Sequence, residues 1–145
     1  MQAGTHVKVW MKAPPEKVFA YVGDLNRHGE WTKAPLRVQG PVPAQAGATY
    51  HSESKFMGKP VEADLRVTSY QPSSHIAFDA SHKEGTYKHD FTLRAENGGT
   101  TVERRIVLPD ASPVKGVFLK FLIAPTAVRS DAKKSLGMLK QIVEA

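Results

Sequence analysis

Two tight turns govern how most of this chain can face. Met57-Gly58-Lys59-Pro60 and Asn97-Gly98 each separate runs in which apolar and polar residues alternate. Asn-Gly tolerates positive φ at both central positions and favours a two-residue hairpin. It sets Leu93 opposite Val102, Phe91 opposite Arg104 and His89 opposite Ile106, with Asp90 and Arg105 paired on the reverse side. With Gly58-Lys59 as the other turn, Lys55 falls opposite Glu62, Phe56 opposite Val61, Ser54 opposite Ala63, Ser52 opposite Leu65 and Tyr50 opposite Val67. The reverse face then carries His51, Glu53, Lys55, Glu62, Asp64 and Arg66. Long ribbons with one apolar face need a cover. The C-terminal residues supply it, because Val128, Ala132, Leu136, Leu139 and Val143 recur on one face of a helix, with Lys133, Lys134, Lys140 and Glu144 away from it.

The remaining elements follow from punctuation and periodicity. Val7, Val9 and Met11 alternate within a strand over 5–12. Ala13-Pro14-Pro15-Glu16 opens a helix, with proline and an acid where the first turn favours them. Its stripe is Val18, Phe19, Val22 and Leu25, broken by Gly23-Asp24. Asp24 is a cap for a second short helix reaching about Trp31. Residues 35–40 read as a short strand, followed by strands near 47–57, 60–71, 75–81, 85–96 and 100–109. Ser112-Pro113 marks a helix start, and Pro125 is expected to kink or divide that helix. The order is strand, two helices, six strands, long helix. This is an α+β chain in which a seven-stranded, curved antiparallel sheet wraps a long C-terminal helix. Such a sheet twists and curls, and the curl leaves a hollow against the helix.

At 145 residues the chain is expected to be one domain. Its net charge of +6 is spread along strands and the last helix, with no basic cluster interleaved with aromatics, so nucleic acid is not an expected partner. With no cysteine there is neither a disulfide nor a Cys-based zinc site. The six histidines form no H-x-H or H-E-x-x-H pattern, so no metal is expected. Neither a Gly-rich phosphate loop nor a G-x-S-x-G elbow is present, and no cofactor is implied. No signal peptide and no apolar run of the roughly 18 residues a span needs is visible, which points to a cytoplasmic protein.

Several short stretches, in order, resemble the START-like superfamily, also called SRPBCC or helix-grip proteins, and within it the polyketide cyclase/dehydrase and lipid-transport group. They are Ala13-Pro14-Pro15-Glu16-Lys17-Val18-Phe19, Asp24-Leu25 through Glu30-Trp31, Phe56-Met57-Gly58-Lys59, Tyr70-Gln71-Pro72, Ile76-Ala77-Phe78, Gly99-Thr100-Thr101-Val102 and Leu139-Lys140. The resemblance implies a helix-grip fold over 1–145 with a hydrophobic cavity between sheet and C-terminal helix. It implies a ligand such as a lipid, sterol, polyketide, hormone or quinone. The superfamily shares no catalytic motif, so no catalytic residue is carried over.

The hairpin registers place Tyr50, Ser52, Ser54, Tyr87, His89, Phe91 and Arg104 on the inner face. Arg104 has two readings: it holds a ligand carboxylate, enolate or carbonyl with His89 and Tyr87 beside it, or it reaches the rim or an acid elsewhere. His89 is a wall histidine or, as a weaker candidate, a general base. Ser52 and Ser54 reach backbone or orient a ligand. Trp10 and Trp31 could stack on a ligand, but packing is the role favoured for both, and Tyr70 is expected to brace a hairpin. Phe118, Phe121, Leu122 and Ile123 close the core or line an entrance, where Lys115 and Lys120 would touch an anionic membrane. The expectation is a binding protein, monomeric or weakly dimeric, for a lipid-like or polyketide-like molecule. A cyclase/dehydratase-type enzyme and a protein–protein accessory module are the alternatives.

Overall fold

The computed structural model describes residues 4–32, 35–56, 58–83, 85–109 and 117–145, without the side chains of 56 and 117–126. The strands are β1 (Gly4–Met11), β2 (Leu36–Gln39), β3 (Thr49–Phe56), β4 (Lys59–Gln71), β5 (His75–His82), β6 (Gly85–Glu96) and β7 (Gly99–Val107). Between β1 and β2 lie α1 (Pro15–Val22) and a short 3-10 helix, η1 (Leu25–Glu30), and α2 (Val117–Glu144) ends the chain. All seven strands form one antiparallel sheet in the order β1-β7-β6-β5-β4-β3-β2. Sequence neighbours β1 and β2 are therefore its two edges. The segment carrying α1 and η1 must cross the concave side to join them.

The alternation in the sequence becomes the two sides of this sheet. Val7, Val67, Ile76, Phe78, Phe91, Leu93, Val102 and Ile106 are buried on the concave side. The β6–β7 register is the one the Asn97-Gly98 turn specifies, with Phe91 opposite Arg104 and His89 opposite Ile106. Asn97 at φ 51 and Gly98 at φ 76 both take the left-handed conformation that this turn requires. The β3–β4 register differs from expectation by two residues. Phe56 pairs with Lys59, Ser54 with Val61, Ser52 with Ala63 and Tyr50 with Leu65, so the turn falls one residue earlier in the chain. Gly58 takes positive φ there, at 78°. A slip of two preserves the facing of every side chain, because the pleat repeats every two residues.

A bulge between Val67 and Ser69 shifts the β4–β5 register by one. It returns Tyr70 to the concave side, where its ring lies 5.6 Å from Phe19 of α1. Asp24 caps η1 as expected, its Oδ1 accepting from the Asn26 N–H at 3.0 Å.

α2 buries Ala132, Leu136, Leu139 and Val143 against the sheet, as their spacing predicts. Two of its charged residues do more than face solvent. Glu144 accepts a hydrogen bond from the Lys12 N–H at 2.8 Å, and Lys140 Nζ sits 5.5 Å from the centre of the Trp10 ring. Pro125 does not divide α2, which runs as one 28-residue helix. A helix that long can lose one backbone bond and continue. Among the described residues no helix is long and apolar enough to cross a membrane. The expected helix start at Ser112-Pro113, the side chains of Phe118, Phe121, Leu122 and Ile123, and those of Lys115 and Lys120 lie outside the described residues.

Candidate functional site

One row across the concave face runs Val7, Arg104, Phe91, Ile76, and the next runs Ile106, His89, Phe78. Alternation thus places a guanidinium and an imidazole within a wall that is otherwise apolar. η1 lowers two further rings onto these rows. Its His28 lies 5.7 Å from Phe91 and 5.9 Å from Phe78, both edge-on. Trp31, which caps η1, lies 5.9 Å from Phe91 at 85° and 4.7 Å from His28. His89 stacks on Phe78, 4.8 Å away and 8° from parallel. The Arg104 guanidinium lies 4.9 Å from the centre of the Phe91 ring and 5.9 Å from that of Trp31. The result is a cation held in a cage of rings.

Three polar atoms in this cage are shut from solvent without a hydrogen-bond partner: Trp31 Nε1, His89 Nδ1 and Arg104 Nε. Buried polar atoms are nearly always paired, and leaving one unpaired costs about 1–3 kcal/mol. Arg104 forms no ion pair with any described carboxylate. Burial lowers its pKa to about 10, and only Asp131 of α2 opposes that, through its charge. Burial likewise pushes His89 well below the ordinary histidine value, with Arg104, His28 and His82 adding to the effect. His28 is lowered to about 4, again chiefly by burial. Its Nε2 is 2.8 Å from the Val22 carbonyl, which can only accept, so Nε2 carries the proton and Nδ1 keeps its lone pair. At neutral pH the cage therefore combines one cation with two uncharged imidazoles. Such a set can bind an anion, stabilise an enolate or accept a proton.

The other inward residues make contacts of their own. Tyr50 is buried, and its hydroxyl donates to the Pro41 carbonyl at 2.8 Å. Ser52 Oγ turns to the Ala63 carbonyl at 3.4 Å, the backbone role its sequence context suggests. Ser54 is half-buried opposite Val61. Tyr87, also half-buried, meets the His82 ring edge-on at 5.1 Å. Phe118 and Leu122 lie among the side chains outside the described residues. Sequence reasoning missed His28 altogether and ranked a packing role for Trp31 above stacking on a ligand. The available signal was the Asp24 cap, which fixes where η1 begins and hence which residues it turns inward.

On the convex face, ligand atoms of His51, Glu53 and Glu62 lie within 4.8 Å of one another, a grouping that no short motif announces. All three are exposed, and a hydrogen bond to Asp64 raises the His51 pKa, so the proton competes for the ring nitrogens. A concavity of about 570 Å³ beside them, lined by Gln39, Thr49, Arg66 and Ser81 among others, holds none of the unpartnered buried atoms.

The fold has counterparts among solved structures. Protein CV1439 from Chromobacterium violaceum superposes with a TM-score of 0.76 at 19% identity, covering 98% of this chain and 97% of the other. TTHA0849 from Thermus thermophilus also gives 0.76 at 19% identity, covering 97% of each chain. The di-domain ARO/CYC BexL from the BE-7585A biosynthetic pathway gives 0.78 at 16% identity, covering 99% of this chain and 50% of the larger protein. A comparison with curated proteins finds no match. Likeness at such identities speaks for the fold, a curved sheet gripping a terminal helix. The sequence itself goes further, since residues 2–144 match one family across the motifs that build α1, η1 and both hairpins, and the chain belongs to the polyketide cyclase / dehydrase and lipid transport family.

Proposed function

We propose that the protein binds a hydrophobic small molecule, lipid-like or polyketide-like, as one START-like domain, on the concave face of its sheet between β6–β7, η1 and α2. The observation that carries this reading is the set of three unpartnered buried polar atoms within an aromatic wall. Apolar contact supplies affinity, roughly 25 cal/mol per Å² buried. Arg104, His89 and Trp31 supply orientation, as the few polar groups of a concave site do. Family membership agrees with this reading.

The test uses the neutral probe N-phenyl-1-naphthylamine and the fluorescence of Trp31 in a Trp10→Phe background. Saturable binding that alters Trp31 emission is expected, together with a co-purifying small molecule in native mass spectrometry. A probe that binds without affecting Trp31, or does not bind, would overturn the reading.

A second reading is favoured by the uncharged state of His28 and His89 beside a cation. A neutral imidazole can take a proton α to a carbonyl while Arg104 steadies the enolate oxygen. A pH–rate profile on a model poly-carbonyl chain, with His28→Ala and His89→Ala compared, decides it. Unchanged rates in both variants exclude it.

A further inference from the structure

Resting on the binding site just proposed, we infer that its ligand is an organic anion: a carboxylate, or an equally delocalised oxyanion, on an apolar ring-bearing body, with Arg104 as the counter-charge. The charge balance of the cage is one-sided. Among the described residues, the groups in contact there are Arg104, His28, His89, Trp31, Phe78 and Phe91, and not one of them is acidic. Asp131 acts on Arg104 through its charge alone, from the exposed side of α2, without a hydrogen bond or an ion pair.

Geometry narrows the ligand further. The faces of Phe91 and Trp31 contact the guanidinium, and cation–π contact offsets part of the cost of burying its charge. Rings cannot accept its N–H bonds in the guanidinium plane, and Nε, one edge of that fork, has no acceptor. A planar group with two equivalent oxygens matches the fork through paired N–H···O bonds. A neutral carbonyl would satisfy one donor and leave the charge uncompensated. His28 and Trp31 meet Phe91 edge-on while Phe78 lies nearly parallel to it, an arrangement that accepts a further flat ring more readily than it fills with a flexible chain.

Two probes of nearly equal shape separate charge from hydrophobicity, namely 2-naphthoate and 2-naphthamide, titrated calorimetrically into the full-length protein. The naphthoate is expected to bind at least about tenfold more tightly, the discrimination typical of a hydrogen bond to a charged group. Arg104→Met, its folding checked by a cooperative thermal transition, is expected to abolish that preference. Equal affinity of the two probes for the unaltered protein, or a preference that survives Arg104→Met, would overturn the inference and leave hydrophobic binding standing. If neither naphthalene binds and N-phenyl-1-naphthylamine also fails, the binding reading falls and this inference with it. The comparison on the unaltered protein needs no variant to fold.

Discussion

His28 ionises near pH 4 in the folded protein, against 6.5 for an unperturbed histidine, because burial among Trp31, Phe78 and Phe91 disfavours its charged form. Below pH 6.5 the unfolded chain takes up a proton that the native protein refuses until about pH 4. Stability therefore falls as pH drops through that window, by up to about 3 kcal/mol from this residue alone. Urea midpoints measured from pH 7 to 4 should show the decline, and His28→Phe should reduce it, the remaining slope coming from His89 and from Glu103 and Glu144, whose pKa values hydrogen bonds from Arg105 and Lys140 lower. His51 on the convex face acts in the opposite sense, since Asp64 raises its pKa. An identical slope in His28→Phe and the unaltered protein would refute the assignment. Arg104 is the complementary case. Its folded pKa, about 10, lies below the ordinary value, so the fold carries a charge it holds at a cost. Arg104→Met keeps an unbranched apolar stem and removes that charge, forfeiting the guanidinium contacts to Phe91 and Trp31. A net gain of about 1–2 kcal/mol in the ligand-free protein is expected by chemical denaturation. A loss of stability would mean that the ring contacts outweigh the burial.

At the level of elements, the cage depends on how closely η1 approaches β2. Gly29 makes that approach: a Cβ there would stand 2.2 Å from the Leu36 carbonyl oxygen, which is backbone and cannot swing aside. Gly29→Ala must lift η1 from β2 and shift His28 and Trp31, which flank it. It is expected to cost about 1–3 kcal/mol and to weaken probe binding together with the Trp31 response, read from denaturation and titration of the same sample. Unchanged binding would show that η1 positions nothing the ligand touches. Part of this arrangement is legible in the sequence and part is not. Tyr50, Ser52, His89, Phe91 and Arg104 were placed on the inner side from local alternation and a turn, and even a two-residue error in the β3–β4 register left their facing intact. Local pattern could also locate η1, through Asp24. It could not say that η1 folds back over β6 and β7, because that follows from β1 and β2 lying at opposite edges of the sheet. His28 and Trp31 meet Phe91 across a long stretch of intervening chain, and nothing in the periodicity of either segment encodes that distance.

Across the whole molecule, the concave side is a junction of parts that are remote in sequence. Arg104 comes from β7, His89 and Phe91 from β6, Phe78 from β5, and His28 and Trp31 from the η1 segment, while α2 closes against β1. A ligand seated in the cage touches several of these at once and so stabilises the assembled state over the unfolded one. Linkage fixes the size of the effect: at a hundred times its dissociation constant a ligand adds about 2.7 kcal/mol. For a chain of this length each kcal/mol moves the melting temperature by roughly 2–4 °C, so saturating 2-naphthoate should raise it by about 5–10 °C in scanning calorimetry. The rise should track affinity across Arg104→Met and Gly29→Ala when each is compared at a fixed probe concentration. A ligand held instead in the convex concavity near Arg66 and His51 obeys the same linkage, so the temperature rise alone does not locate it. Trp31 helps to, because it is fully buried on the concave side and a molecule seated beside it must change its emission. A melting temperature that climbs with naphthoate while Trp31 stays silent would move the ligand to the convex face, and the caged arginine would then be a structural cost without a partner.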